Sequence, residues 1–351
     1  MKRIALCLAA AAVLAQAGSS KTVGVLRGGR DVIKPGMLKT LEAAGWAHTN
    51  MSPADLVNTN KLAATDVLLF TGGWNAYYFP SYEARRALHG YVAGGKGILS
   101  SGFRSGYSRT ASRPLFPQVG ATHNRGNGSL LEGFGDSPLA RAIKEPFSAG
   151  GWDHMTLAVG PAGKAFAQCA GDPVGAHGEI YGGRYIALGA FIGGNAPSNG
   201  MTGVEKDVFL AMMNCLNGAP KRSDADVAKA RAQADLDFLR RERTWDWTFD
   251  ARGHEYGPGI IPGARHKAAG VLESRIYRLE YIASFFDKAP RSLQDMIADL
   301  KAGLAELDAN AKKKTAAVEA KIKGMSVAEL DAWKTDKARQ GAEVAAELFP
   351  A

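Results

Sequence analysis

The chain has 351 residues, of which 46 % are hydrophobic and 22 % charged, and its net charge is +9. That length suits one large or two modest domains, and the apolar fraction supports a buried core, so a chain too polar to fold is excluded. Lys2 and Arg3, an apolar run from Ile4 to Leu14 and the small residues of Ala15-Gln16-Ala17 have the form of a secretory signal peptide over residues 1–17. The run is too short to span a bilayer, and Cys7 within it has no lipidation motif around it. Removing the leader takes away Lys2 and Arg3 and lowers +9 to +7. No later segment is long and apolar enough to cross a membrane. The expectation is an exported chain, periplasmic or extracellular. The surplus charge gathers in early arginines (Arg27, Arg30, Arg85, Arg86, Arg104, Arg109, Arg113, Arg125) without a basic-aromatic motif. It therefore serves solubility or an anionic small ligand, and no nucleic-acid partner is expected.

Taken in order, Lys21 to Leu26 reads as a short apolar strand, followed by the turn Arg27-Gly28-Gly29-Arg30. Pro35 to Trp46 has Met37, Leu38, Leu41 and Ala44 at helical spacing, with Gly45 closing it. Ala47 to Met51 is a second short strand. Asp66 to Phe70 is apolar on both faces, as a buried parallel strand requires. Ser81 to Val92 is a helix ended by Gly94-Gly95, and Gly97 to Ser101 is the next strand. Strands and helices alternating at this rhythm predict an α/β, doubly wound, mostly parallel sheet.

From Ser108 to Thr156 the pattern loosens, with a short helix over Ser137 to Ile143. Met155 to Val159, Ala165 to Cys169 and Arg184 to Leu188 read as further strands. Val204 to Leu216 is an amphipathic helix, capped by Asn217-Gly218 and stopped by Pro220, which marks a domain boundary. Beyond it, residues 220–351 are rich in Ala, Lys, Glu, Leu and Arg. Asp226 to Arg243 is helical, and Thr244 to Pro262 is an aromatic, glycine-rich break. Trp245, Trp247 and Phe249 there suit either a carbohydrate platform or, as the plainer reading, aromatics that dock one region on another. Leu272, Ile276, Leu279, Ala283 and Phe286 form one stripe, and Leu293, Ile297, Leu300, Leu304 and Leu307 another, with Pro290 between them. Two such stripes predict an antiparallel, coiled-coil-like hairpin, with self-association or a protein partner expected through residues 265–323. Ser326-Val-Ala-Glu329 is a capping box opening a last helix.

Four stretches carry a resemblance: Thr65-Asp66-Val-Leu-Leu-Phe-Thr-Gly72-Gly73, Tyr91-Val-Ala-Gly-Gly95-Lys-Gly97-Ile-Leu, Asp136-Ser-Pro-Leu139 and Tyr181-Gly-Gly-Arg184-Tyr-Ile-Ala-Leu-Gly189. Over about residues 21–219 the chain resembles the class I glutamine amidotransferase-like superfamily, most of all its trehalose-utilisation (ThuA-like) and biotin-protein-ligase N-terminal-like branches. The resemblance implies a flavodoxin-like sheet with a nucleophile elbow after the strand that follows Gly94-Gly95. It implies a cysteine there, in a sharp turn flanked by small residues. This chain has Leu99-Ser100-Ser101-Gly102-Phe103-Arg104, so Gly102 takes the cysteine's place. The histidines that some members carry near that turn and later are here Gly102 or Phe103, and Ala190. A chain that has lost its nucleophile, acting as a binding or scaffold protein, is the favoured reading.

Candidate substitutes for the missing nucleophile are Ser101 with His177 and Glu179, the last two echoing the His-x-Glu of the family. A serine nucleophile needs a base within hydrogen-bond reach and an oxyanion donor. Such a site would make the chain a hydrolase of a carbohydrate or amide, and an envelope protein working through its helices is the third reading. His154 beside Asp153 is a further polar pair. Arg27, Gly73, Trp74, Gly102, Phe103 and Arg104 are expected at the sheet's carboxyl edge. An aromatic face with a fork-shaped cation suits a sugar or a carboxylate-bearing ligand there. The histidines show no metal-ligand spacing, so neither metal nor cofactor is expected. Cys169 and Cys215 survive processing and form a disulfide or remain buried thiols, the two alternatives standing level.

Overall fold

The computed structural model describes residues 21–27, 33–72, 81–102, 105, 114–242, 266–333, 335, 336 and 339. Five strands run parallel: β1 (Lys21–Leu26), β2 (Trp46–Met51), β3 (Val67–Gly72), β4 (Gly97–Gly102) and β11 (Gly183–Leu188). They lie in the order β2-β1-β3-β4-β11. The sheet continues antiparallel through β10 (Asp172–Ile180), β9 (Gly163–Cys169), β6 (Leu130–Gly133) and the two-residue β7 (Phe147–Ser148). A separate antiparallel pair joins β5 (Gly120–Asn127) to β8 (Asp153–Val159).

The apolar runs explain the order. Every residue of β3 and of β4 is buried, because helices cover both faces. Odd-numbered Val67, Leu69 and Leu99 join Val23 and Val25 under α1 (Pro35–Ala43) and α5 (Gly203–Asn217), against Met37, Leu41, Phe209 and Met213. Even-numbered Leu68, Phe70 and Ile98 face α3 (Tyr82–Ala93), against Leu88 and Val92. The Ser81 hydroxyl caps α3 by accepting from the Ala84 amide at 3.2 Å. Asp66, just before β3, accepts from the Thr22 amide at 2.9 Å and from the Lys96 ammonium at 2.9 Å, fixing the start of β3 to its neighbours.

Short helices α2 (Thr59–Ala63) and α4 (Pro138–Ala142) fill the crossovers. Beyond Pro220, α6 (Asp224–Glu242) lies along α3, held by a two-pronged Arg86–Asp235 ion pair at 2.5 and 2.8 Å. α7 (His266–Ala283) and α8 (Arg291–Ile322) pack on each other as the expected hairpin, with Pro290 as the residue before α8. Their Leu279, Ile282 and Leu293 pack on Ala121 of β5 and Ala158 of β8. Ser326 and Glu329 form the reciprocal capping bonds expected of them, at 2.8 and 3.3 Å.

Three expectations need correction. The first helix stops at Ala43, and Trp46 opens β2, because Gly45 at φ +80° breaks the helix. The loose stretch from Ser108 to Thr156 contains β5 and β6. β10 was not expected at all: its Pro173 and two glycines hide a strand that is stabilised by neighbours on both sides, with a bulge between Pro173 and Gly175. Among the described residues no helix is long and apolar enough to cross a membrane.

Candidate functional site

The end of β4 is closed by the chain that follows β11. Gly102 has φ +61°, the left-handed turn expected of an elbow, and its amide donates to the Ala190 carbonyl at 3.0 Å. A Cβ built at Gly102 would lie 2.2 Å from the Phe191 ring and 2.3 Å from the Gly72 carbonyl oxygen. Real Cβ atoms do not approach so closely. A side chain here meets an aromatic ring on one side and fixed backbone on the other, besides the cost of its positive φ. The backbone of an elbow is present, while the space for its side chain is taken.

The neighbouring hydroxyls are used structurally. Ser101 is fully buried; its Oγ donates to the Ala190 carbonyl at 2.8 Å and accepts from the Ile192 amide at 3.2 Å. Ser105 Oγ lies 2.8 Å from the Ser100 carbonyl and 2.9 Å from that of Leu188. These bonds pin the residues after β11 beneath the end of β4.

The structure does not bring Ser101, His177 and Glu179 together. Ser101 is level with Leu188 of β11, whereas His177, on β10, is level with Ile186. Two strand spacings and a two-residue offset separate them by roughly 12 Å, far beyond hydrogen-bond reach. His177 instead sits edge-on to Phe166, ring centroids 6.0 Å apart, and burial with nearby Lys164 and Arg184 lowers its pKa. Glu179 is exposed and level with Arg184, which pairs with Gly97 at the opposite end of β4.

Arg27 does lie at the carboxyl edge, where its Nε donates to Asn50 Oδ1 at 2.8 Å. Gly73, Trp74, Phe103 and Arg104 lie outside the described residues, as do residues 1–17 and the Thr244–Pro262 segment. Asp153 and His154 point to opposite faces of β8 and are not a working pair. Asp153 is ion-paired with Arg125, and His154 Nδ1 is 3.0 Å from the Gly128 carbonyl. Cys169 and Cys215 are free, and burial raises both thiol pKa values, so neither is an activated nucleophile. Among the described residues, no three His, Cys, Asp or Glu side chains are grouped as metal ligands.

Sequence reasoning did not find a groove of about 900 Å³ at the other end of the sheet. It is bounded by the Tyr181 turn between β10 and β11, by His89 of α3, by Asp237 and Phe238 of α6, and by Tyr281 and Phe285 at the end of α7. The Tyr181 hydroxyl donates to Asp237 at 3.1 Å, which joins the turn to α6. The one available signal was Tyr181 preceding Gly182 in a tight turn, a place where Asn or Gly is usual.

No protein-family model and no curated protein matches the chain. Among solved structures, a cytoplasmic protein from Salmonella typhimurium is similar at 13 % identity and a TM-score of 0.41, covering 56 % of this chain and 98 % of that one. PurLQS from Thermotoga maritima is similar at 16 % identity and a TM-score of 0.36, covering 56 % and 99 %. A glutamine amidotransferase from Thermotoga maritima is similar at 14 % identity and a TM-score of 0.36, covering 64 % and 98 %. Likeness at this level says nothing about activity.

Proposed function

We propose that this chain is an exported, non-catalytic protein of amidotransferase-like build that binds a small ligand or serves as a scaffold. The observation that carries the reading is the pair Gly102 and Phe191: the turn that would present a nucleophile has no room for a side chain. The buried, doubly bonded Ser101 hydroxyl supports it, since a nucleophile must be exposed and deprotonated by a nearby base. Export is inferred from the leader over residues 1–17, and kinship with the trehalose-utilisation and biotin-protein-ligase N-terminal-like branches from the Thr65–Gly73, Tyr91–Leu99, Asp136–Leu139 and Tyr181–Gly189 stretches. Within this reading, residues 21–219 form the α/β domain and 220–351 the helical one, and residues 265–323 carry self-association or a protein partner. A sugar or carboxylate ligand at the carboxyl edge, near Arg27, belongs to the same proposal.

The test is a thermal-shift screen of the mature chain against sugars, sugar acids and amino acids, with each stabilising compound followed for consumption. The expected result is stabilisation by one class, unchanged in Ser101→Ala, with the compound recovered intact. Consumption that Ser101→Ala abolishes would overturn the reading in favour of a hydrolase, and no shift with any class would overturn the small-ligand half of it.

A further inference from the structure

The groove behind Tyr181 is a second place where chemistry converges, and it is independent of the Gly102 edge. Gly183, two residues after the groove's Tyr181, and Gly102 mark opposite ends of the parallel strands: Arg184 pairs with Gly97, five residues before Gly102. At the strand rise, that is roughly 16 Å.

Three features point to a ligand. The first is His89, 6 % exposed, whose Nε2 lies 3.2 Å from the Leu115 carbonyl. A carbonyl only accepts, so Nε2 carries the hydrogen, and burial holds the ring neutral by pushing its pKa down to about 4. Nδ1 is then a bare acceptor, and it is buried with no hydrogen-bond partner among the described residues. Gln118 Oε1, on the same groove, is a second buried acceptor without one. Buried acceptors left in this state cost on the order of 1–3 kcal/mol each, so a donor arriving there is rewarded.

The second feature is the wall. Phe238 lies against His89 with the rings tilted at 60° and their centroids 5.1 Å apart, and Tyr281 meets Phe285 edge-on at 5.1 Å. With Tyr181 they give the groove an aromatic lining from three separate elements. The third is backbone strain: Tyr181 has φ +54°, costing about 1–2 kcal/mol that Gly or Asn would avoid. Its hydroxyl bond to Asp237 keeps the residue in place.

Charge narrows the ligand class. The charged residues described as lining the groove are Asp237 and Glu179, with no lysine or arginine among them, so an anion is disfavoured there. An anion would also meet bare acceptors. A neutral ring that donates several hydrogen bonds from its rim and stacks an apolar face satisfies both the acceptors and the wall. The volume, about 900 Å³, accommodates more than one such ring.

We propose that this groove is a binding site for a neutral saccharide, its hydroxyls donating to His89 Nδ1, Gln118 Oε1 and Asp237 and its face lying on the Tyr281–Phe285 wall. The test is isothermal titration calorimetry of the mature full chain with maltose, cellobiose and N-acetylglucosamine, alongside spermidine as a cation and glucuronate as an anion. Saturable binding of a neutral sugar is expected, weakened at least tenfold by Phe285→Leu and by Asp237→Asn and unchanged by Ser101→Ala. Melting temperatures of the free variants report folding, and Asp237→Asn, nearly isosteric and half-buried, keeps the test open if Phe285→Leu is unstable. Binding only of spermidine or glucuronate, no binding at all, or sugar binding indifferent to both groove variants would overturn the proposal. Sugar binding lost in Ser101→Ala but kept in the groove variants would place the ligand at the Gly102 edge and overturn it as well.

Discussion

The ring of Phe191 lies where a side chain at position 102 would have to be, 2.2 Å from the Cβ that Gly102 lacks. Phe191 is itself held by backbone, since its carbonyl accepts from the Gly150 amide at 3.0 Å, and it is 5 % exposed. Gly102→Ala is therefore expected to lose about 3 kcal/mol or more, from overlap together with positive φ. Gly102→Ala with Phe191→Ala should recover little, because the Gly72 carbonyl still blocks the site at 2.3 Å. Urea unfolding of both variants checks this; a Gly102→Ala loss under about 1 kcal/mol would show that the turn has room.

Stability should fall as pH drops from about 6.5 to 4. Burial pushes His89 and His123 each down to about 4 from 6.5. The unfolded chain then binds protons that the folded chain refuses, so their contribution is complete above pH 6.5 and is lost as pH falls toward 4. Each histidine adds a slope on the order of 1 kcal/mol per pH unit at most. Below that, Asp66 adds a further loss: burial raises its pKa, but the Thr22 amide and Lys96 outweigh this and lower it below 3.8. Urea midpoints between pH 7 and 4.5 should decline in the wild type and decline less in His89→Gln. A flat wild-type profile contradicts this assignment.

Arg278 is completely buried, donating from Nη2 to Thr122 Oγ1 at 2.5 Å where α7 meets β5. Burial, with Arg275 nearby, lowers its pKa to about 9. Arg278→Ala should cost about 2–4 kcal/mol through the cavity and the lost hydrogen bond to Thr122, and should loosen the hairpin from the sheet. Limited proteolysis should then cut within residues 266–322 before the sheet. Uniform resistance in Arg278→Ala would show that the hairpin docks without it.

The Arg86–Asp235 pair is two-pronged but about half exposed, 46 % and 40 %. A double-mutant cycle should give a coupling of only about 0.5–1 kcal/mol, shrinking in 1 M salt at roughly 3 Å Debye length. A coupling above about 2 kcal/mol would mean that α6 depends on this contact more than on packing of buried Ala234 and Phe238.

How much was legible follows from the range of the interactions. β1, β3 and β4 read directly because helices on both faces require unbroken apolar runs, and the Ser326–Glu329 box read directly because it is local. β10 did not, since its pairing depends on β9 and β11 rather than on its own propensities. At the site, Gly102 could be singled out by position, yet nothing local to it foretells Phe191, far along the chain. Ser101 and His177 were plausible partners until strand order separated them. The Tyr181 groove was hidden for the same reason: its walls come from α3, α6, α7 and one hairpin turn.

The measurement that bears most directly on the central claim is ammonia release from glutamine by the mature chain, compared with Ser101→Ala and His177→Ala. The account predicts no release above buffer for any of the three. Turnover by the wild type that either substitution abolishes would contradict it.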